Sequence, residues 1–164
     1  MAGWPSVCVV DANILIDLHA GGMLKEAIKL PFSWITADVV LAELHEPDGA
    51  ELLQYGLQSV ELSGEQVLAV ANLVARHRSV STNDLFALVL ARESGATLLT
   101  GDQHLRKIAL EHNLPVHGTL WVLDELVARN FIAASDAASA LKDMLAAGSR
   151  LPSDECETRM ERWK

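Results

Sequence analysis

The stretch VCVVDANILI, residues 7–16, decides the predicted fold. Its first four residues, 7–10, are small or β-branched and apolar, which is typical of a fully buried strand. Ile14 and Leu18 follow at helical spacing, so the strand is expected to lead into a helix. Asp11 lies at the junction, and the ligands of open α/β sheets bind outside the carboxyl ends of the strands. The stretch therefore predicts that Asp11 belongs to a metal-binding cluster of carboxylates.

Composition limits the classes of protein to which the chain can belong. Its 164 residues are enough for one compact domain, and 50% of them are hydrophobic. The formal net charge is −9, from 22 acidic and 13 basic residues, which argues against broad electrostatic binding to nucleic acid or to an anionic membrane. Nucleic acid is still allowed as a substrate, because a divalent cation held by carboxylates reverses the local charge of a site.

Targeting signals and disulfides are not expected. No apolar run approaches the ~18 residues of a membrane span, and the first residues lack the charged region of a signal peptide. The two cysteines, Cys8 in the predicted first strand and Cys156 in a polar tail, form no CxxC pair, so structural zinc is not expected. These features favour a reducing, cytoplasmic setting.

Predicted strands and helices alternate along most of the chain. This order predicts a three-layer α/β/α fold with a parallel sheet of four to five strands. Strands are predicted at 7–10, 32–36, 58–62, 96–100 and 114–117. The main domain is expected to span 1–132, and a C-terminal helical extension, 133–164, is expected to pack on it. Within the extension, a helix over 135–147 is followed by a second over 152–164, which is expected to be exposed or frayed.

Side chains that cap helices are recognisable at several predicted helix ends. The expected caps are Ser63 with Gln66 as a capping box, Thr36 or Asp38, Thr82 or Asn83, and Gly95 at a carboxyl end. Two of these alternatives, Thr36 or Asp38 and Thr82 or Asn83, concern the helices that carry Glu43 and Asp84. The choice of cap therefore affects where these two acids lie.

Three further acids occupy positions like that of Asp11. Asp102 follows a buried strand across one glycine, Asp84 begins a helix after a loop that returns to the same edge, and Glu43 lies among apolar residues, where an unpaired acid is costly. Each also has an ordinary explanation: Asp84 as an acid favoured by the helix dipole, Asp102 as an N-cap, and Glu43 as a solvent-facing residue. Asp11 is harder to explain in this way if Asn13 caps the first helix. The joint placement of the four acids favours a functional site.

Four motifs, in this order, resemble the PIN-domain ribonucleases, in particular the prokaryotic kind that includes VapC-type toxins. They are VVDANILI (9–16), VVLAEL (39–44), NDLFALVLA (83–91) and LLTGDQHLR (98–106). The resemblance covers about residues 7 to 130, which would make 1–132 a PIN-like nuclease domain. It implies a metal-dependent endoribonuclease that hydrolyses RNA with Mg²⁺ or Mn²⁺, either as the toxin of a toxin–antitoxin pair or as an RNA-processing enzyme. The helical extension departs from the smallest members of the family.

The resemblance also implies roles for individual residues. The catalytic, metal-binding quartet that it implies is Asp11, Glu43, Asp84 and Asp102. Asn13 and the Thr100 hydroxyl are implied to orient these acids, and no substrate-binding residue is assigned. A homodimer, involving helices around residues 20–30 and 38–56, is a further implication, as is a small antitoxin that blocks the acidic pocket with a basic side chain.

Other functions compete with this interpretation. A non-catalytic PIN-like interaction module could hold a partner's Arg or Lys in the acidic pocket, and a different small metal-dependent phosphohydrolase could share the architecture. Basic residues at 76–78, Arg106 and Lys107 could contact phosphates, but a solvated helix face is the favoured explanation. The six histidines share no motif and are interpreted as surface or capping residues.

Overall fold

The computed structural model describes residues 5–164. In this part of the chain, five parallel strands form one sheet in the order β3-β2-β1-β4-β5. The strands are β1 (Val7–Val10), β2 (Ser33–Ala37), β3 (Gln58–Val60), β4 (Thr97–Leu99) and β5 (Val116–His117). All five lie within or next to the segments predicted as strands, and the parallel sheet predicted from the alternation of elements is confirmed.

Helices connect the strands and continue after the last of them. They are α1 (Ala12–Ala20), α2 (Leu24–Ile28), α3 (Asp38–Glu43), α4 (Gly49–Tyr55), α5 (Gly64–Arg76), α6 (Thr82–Ser94), α7 (Gln103–Glu111), α8 (Thr119–Ala128), α9 (Ala134–Ala146) and α10 (Ser153–Arg162). Across residues 5–164, no helix combines the length and the apolar character needed to cross a membrane.

The two faces of the sheet bury separate hydrophobic cores because successive strand side chains alternate between faces. Cys8 and Val10 belong to one core, with Leu15 of α1, and helices α2, α4, α8, α9 and α10 contribute to the same side. Val9 belongs to the other core, with Leu88 of α6, and α3, α5 and α7 also contribute there. The predicted three-layer α/β/α fold is therefore confirmed.

The strand order reverses between β1 and β4. The chain runs outward from β1 to β3 and then returns to place β4 on the other side of β1. Val10 is paired with Leu99, and the Asp11 backbone N–H donates to the Leu99 carbonyl at 3.1 Å. Asp11 and Thr100 therefore lie side by side at the carboxyl edge, at the switch point where open α/β sheets bind ligands.

Several caps differ from the predicted ones. Asp11 itself caps α1, its side chain accepting from the Ile14 N–H at 3.0 Å, so the argument that Asn13 leaves it without a capping role is wrong. Ser81, rather than Thr82 or Asn83, caps α6. Helix α3 begins after Ala37, which has no side-chain acceptor. Of the two expected caps, Asp38 is the first residue of the helix and accepts from the Val39 N–H at 2.8 Å, whereas the Thr36 hydroxyl donates to the Val10 carbonyl at 3.0 Å. The Ser63–Gln66 capping box is confirmed.

Helix α10 packs against the rest of the fold, so the prediction that it is exposed or frayed is wrong. Cys156 and Trp163 are both 5% exposed and belong to the core beneath α1. The Arg159 guanidinium makes three hydrogen bonds, of 2.7 to 3.1 Å, with the Asp124 carboxylate on α8. Cys156, Met160 and Trp163 follow the i, i+4, i+7 spacing of one helix face, which the many charged residues of the segment obscure.

Candidate active site

Asp11 is a buried acid at the centre of the carboxyl edge, with 1% of its surface exposed. Burial, and then the negative charges of Asp84 and Asp17, raise its pKa to about 7 against the lowering effect of hydrogen bonds from Thr100 and Ile14. Burial raises the pKa because removal from water penalises the charged form of a carboxyl group. A cation close to Asp11 would offset that penalty.

Thr100 joins two of the predicted acids. Its buried hydroxyl donates to Oδ2 of Asp11, and its oxygen accepts from the backbone N–H of Asp102 at 3.1 Å. Asp102 in turn caps α7 through the Leu105 N–H at 2.9 Å, as its ordinary explanation predicted. The orienting role that the resemblance implied for Thr100 is therefore supported by direct contacts.

Asp84 lies in the first turn of α6 and is half-buried. Burial raises the pKa of its carboxyl, a hydrogen bond with the Ser81 side chain lowers it, and the negative charges of Asp102 and Glu43 raise it. Because the charge of Asp84 also raises the pKa of Asp11, this carboxylate interacts with each of the other three predicted acids. It is the electrostatic centre of the group.

Glu43 reaches the same edge from the last residue of α3. Its Oε2 accepts from the Asn83 side-chain amide at 2.9 Å, and the same amide lies 3.4 Å from the Val39 carbonyl. The Glu43 side chain is exposed, so the prediction that it is embedded in a buried apolar stripe is wrong. The sequence pattern indicates Asn83 only as a helix cap, and in the structure its side-chain amide joins Glu43 to the start of α6.

The structure thus brings the four acids to one edge without closing them into a tight cage. Within residues 5–164, no three His, Cys, Asp or Glu side chains form a group that could hold a metal ion by themselves. Hydrogen bonds to nearby groups restrain three of the acids, because Asp11 and Asp102 each cap a helix and Glu43 accepts from the Asn83 side chain. Mutual repulsion of like charges also disfavours closer approach.

A cleft of about 720 Å³ opens beside these acids. Asn13 and Asp102 line it, as do Asp17 and Ser149. Asn13 is exposed and makes no hydrogen bond to the acids among the described residues, so its predicted orienting role has no contact to support it. Besides Arg150 and several apolar residues, the lining of the cleft nevertheless contains carboxylate and amide oxygens, the hard ligands that magnesium and manganese prefer.

Asp17 is a site residue that the sequence analysis missed. Its carboxylate accepts from the Thr119 hydroxyl at 2.9 Å and from the Ser149 hydroxyl at 2.7 Å, and burial raises its pKa. It lies four residues after Asn13, the spacing of one helix face. The helical spacing of Asn13 and Asp17, directly after the strand-end acid Asp11, is the sequence signal from which Asp17 could have been predicted.

The donor set fits a hard divalent cation. Mg²⁺ is usually bound through one or two carboxylates, and water completes its octahedral shell, so a preformed cage of three or four protein ligands is not needed. Among the four predicted acids, Asp11 and Asp84 have pKa values that burial raises. A bound cation would stabilise the ionised form of both.

One comparison with a solved structure agrees with this architecture. Among solved structures, a PilT N-terminus domain protein from the archaeon Sulfolobus solfataricus P2 superposes with a TM-score of 0.52 at 16% sequence identity, over 72% of this chain and 91% of that one. VapBC2 from Rickettsia felis, bound to a DNA fragment from its promoter, gives a TM-score of 0.48 at 16% identity, over 68% and 98% of the two chains. A search of curated proteins gave no significant match.

A family model assigns the chain to a family, which the structural similarities alone do not. The model DUF3368, described as a PIN domain, matches residues 7–164 and so includes α9 and α10. The match starts at the first residue of β1 and covers every element that contributes to the carboxyl edge. The chain therefore belongs to the PIN-domain family.

Proposed function

We propose that the protein is a metal-dependent endoribonuclease that hydrolyses RNA phosphodiester bonds. The observation that carries the proposal is that Asp11, Glu43, Asp84 and Asp102, which come from four separate segments, interact electrostatically at the switch point of the sheet. PIN-domain proteins are generally nucleases that use divalent metal ions, and this chain matches that family over most of its length.

The proposed cofactor is Mg²⁺ or Mn²⁺. The residues that would hold it are Asp11, Glu43, Asp84 and Asp102, some directly and the others through water. When bound, the cation would polarise the scissile phosphate and lower the pKa of an attacking water. A phosphodiester is an anion, so an edge crowded with carboxylates would repel it unless this negative charge were neutralised.

The chain's own residues hold the acids in place. The Thr100 hydroxyl fixes one oxygen of Asp11, while the Ile14 N–H fixes the other at 3.0 Å. Ser81 holds the start of α6 through the Asp84 N–H at 3.1 Å, and Asn83 holds Glu43. These contacts come from groups that lie on helices (Ile14 and Asn83) or directly next to a strand or helix (Thr100 and Ser81), which gives the site the rigidity that catalysis requires.

The finer parts of the function are proposed on the family resemblance. A toxin role would bring a small antitoxin whose basic side chain blocks the acidic pocket, and an RNA-processing role would not require one. The homodimer implied by the resemblance stays a prediction, as does the division of the chain at 132/133.

Cleavage of RNA should depend on divalent metal. We expect the purified protein to cleave a single-stranded RNA pool with Mg²⁺ or Mn²⁺ and to lose this activity in EDTA, because the acids alone repel the phosphate. Restoration on adding excess metal controls for damage by the chelator. Cleavage that is indifferent to EDTA contradicts the proposal, whereas intact RNA with turnover of a small phosphomonoester favours the phosphohydrolase alternative. Intact RNA, no divalent-metal binding and capture of a small basic partner would favour the interaction module.

Removing the Thr100 hydroxyl should lower activity without removing an acid. We expect Thr100→Val to reduce metal-dependent cleavage by about 10- to 100-fold, the usual effect of losing a group that orients a metal ligand. Thr100→Ser keeps the hydroxyl and is the matched control, so it should retain most of the activity. Equal losses in the two variants, measured by initial rates over a metal titration, would show that packing of the Thr100 methyl group matters instead.

A further inference from the structure

A second pocket, of about 230 Å³, lies next to the acidic edge and is lined by three arginines and one acid, Glu155. It shares Thr100 and Gly101 with that edge, and the α9–α10 connection forms its opposite wall. The lining includes two aromatic rings and three arginines, namely His117, Trp121, Arg106, Arg150 and Arg159. In a chain of net charge −9, this pocket carries an excess of positive charge even with Arg159 paired to Asp124 and with Glu155 in its lining.

Two of these arginines are available to a ligand. Arg159 is committed to Asp124 through three hydrogen bonds. Neither Arg106 nor Arg150 forms an ion pair with any residue in the described part of the chain, although Glu155 also lines the pocket. A guanidinium group matches the geometry of a phosphate oxygen pair, so the two free arginines suit a phosphate bound beside the acidic edge.

The loop that carries Arg150 is anchored to the active-site helix. Ser149 donates to Asp17 of α1 at 2.7 Å, and Thr119 donates to the same carboxylate at 2.9 Å. Asp17 therefore holds the α9–α10 connection against the start of α8, and Arg150 follows directly after the anchored residue. The half-buried Asp17 carboxylate, whose pKa burial raises, thus has a structural role as the shared acceptor of these two hydroxyls.

A column of aromatic rings ends at the same pocket. Trp34, Phe32 and Trp121 follow one another with ring centroids 5.2 and 5.9 Å apart, and the His117 ring stacks on Trp121 at 4.2 Å and 7°. His117 is half-buried, and burial followed by the charge of Arg106 lowers its pKa, which favours the neutral form of the ring. A neutral flat ring at the end of such a column is a surface on which a nucleobase can stack.

We propose that this pocket binds the nucleotide that flanks the scissile phosphate of an RNA strand. Arg106 and Arg150 bind its phosphate, and its base stacks at the His117 end of the ring column. The inference rests on the proposed nuclease function, and it assigns the C-terminal extension a part in holding the substrate. It also revises the earlier interpretations of Arg106 as part of a solvated face and of His117 as a surface or capping residue.

The phosphate contact is tested by RNA binding in the Asp84→Asn background, so that the strand stays intact. The probe is a fluorescein-labelled single-stranded RNA 12-mer of mixed sequence with Mg²⁺, followed by anisotropy over a salt series. We expect Arg106→Gln and Arg150→Gln each to weaken binding by about tenfold. The double variant should reduce the slope of log K against log salt by about 0.7, the value for one phosphate on a single strand. Arg92→Gln is the control, because Arg92 lies in the last turn of α6, outside the pocket, and its substitution makes the same charge change.

The stacking contact is tested by rescue at position 117. His117→Ala should weaken binding of the same 12-mer by about tenfold, as loss of a stacked base does, and His117→Phe should restore it because it keeps a flat ring. Thermal unfolding of both variants confirms that they fold. Binding equal to that of Arg92→Gln in both arginine variants overturns the phosphate assignment, and failure of His117→Phe to exceed His117→Ala overturns the stacking assignment.

The same experiments separate this inference from the proposed function. If the wild-type protein cleaves RNA with metal but the arginine variants bind and cleave like the Arg92→Gln control, the pocket assignment fails while the nuclease proposal stands. If the arginines control RNA binding but no cleavage occurs with any divalent metal, the nuclease proposal fails while the pocket assignment stands.

Discussion

Asp11→Asn is expected to stabilise the metal-free protein at pH 8, even though it removes a proposed metal ligand. Asparagine can still accept from the Ile14 N–H, so the cap of α1 is kept, and its amide nitrogen can donate to the Thr100 oxygen in place of the hydroxyl that donates to Asp11 Oδ2. Its amide carries no charge, and the buried position therefore no longer has to hold an ionised carboxylate. The gain should be measurable by urea unfolding in EDTA.

The sign of the effect follows from the raised pKa. The pKa of Asp11 rises from 3.8 to about 7 on folding, so the folded state binds the proton more tightly than the unfolded chain. The resulting stability is complete below the unfolded pKa and is lost as the pH rises through about 7. With about 1.4 kcal/mol for each pKa unit, the full loss for the wild type is about 4 kcal/mol, of which roughly 2–3 kcal/mol falls between about pH 5 and pH 8.

The comparison of two variants isolates this group from the other titrating acids. The difference in free energy of unfolding between Asp11→Asn and the wild type should grow by roughly 2–3 kcal/mol from about pH 5 to pH 8 in EDTA. Asp143→Asn, on the exposed face of α9, makes the same charge change and should show a flat difference. A flat difference for Asp11→Asn as well would mean that Asp11 is ionised in the metal-free fold at both pH values.

The fold was predictable because the strands are buried and flanked by clear breaks. Val9 and its neighbours have no polar side chain and lead directly into α1, and Gly95 ends α6 at φ +61° as its position predicted. Helix α10 was misjudged because Cys156 and Trp163 are separated by charged residues. Its docking is set by contacts with distant elements, Asp124 among them, which local patterns do not contain.

The placement of the four acids near one another was predictable from their positions at strand and helix ends, whereas their hydrogen bonds were not. Thr100 was singled out only through the family resemblance, and its two hydrogen bonds follow from the pairing of β1 with β4. Asp17 was missed because its partners, Thr119 and Ser149, lie more than 100 residues away in sequence. Side chains that join elements distant in the chain in this way leave little signal in the local sequence.

Asp84→Asn is expected to reduce metal-dependent RNA cleavage by about a thousandfold, equivalent to about 4 kcal/mol of transition-state stabilisation. Asp84 is the acid whose charge interacts with all three of the others, so neutralising it weakens the cation site as a whole. The variant should also need more Mn²⁺ for half-maximal activity, because fewer negative charges hold the ion. Initial rates over a metal titration measure both effects.

Stability and activity should change in opposite directions in this variant. Burial and the charges of Asp102 and Glu43 raise the pKa of Asp84, so removing its charge relieves repulsion, and the metal-free variant should unfold at the same or a higher urea concentration than the wild type. Asp143→Asn should keep the wild-type cleavage rate and metal requirement. A variant that lost activity because it unfolded would lose both properties together. Full cleavage by well-folded Asp84→Asn would show that Asp84 does not belong to the metal site. Because Glu43 and Asp102 are linked to Asp11 through the charge of Asp84, their assignment to the site would then lose its electrostatic support.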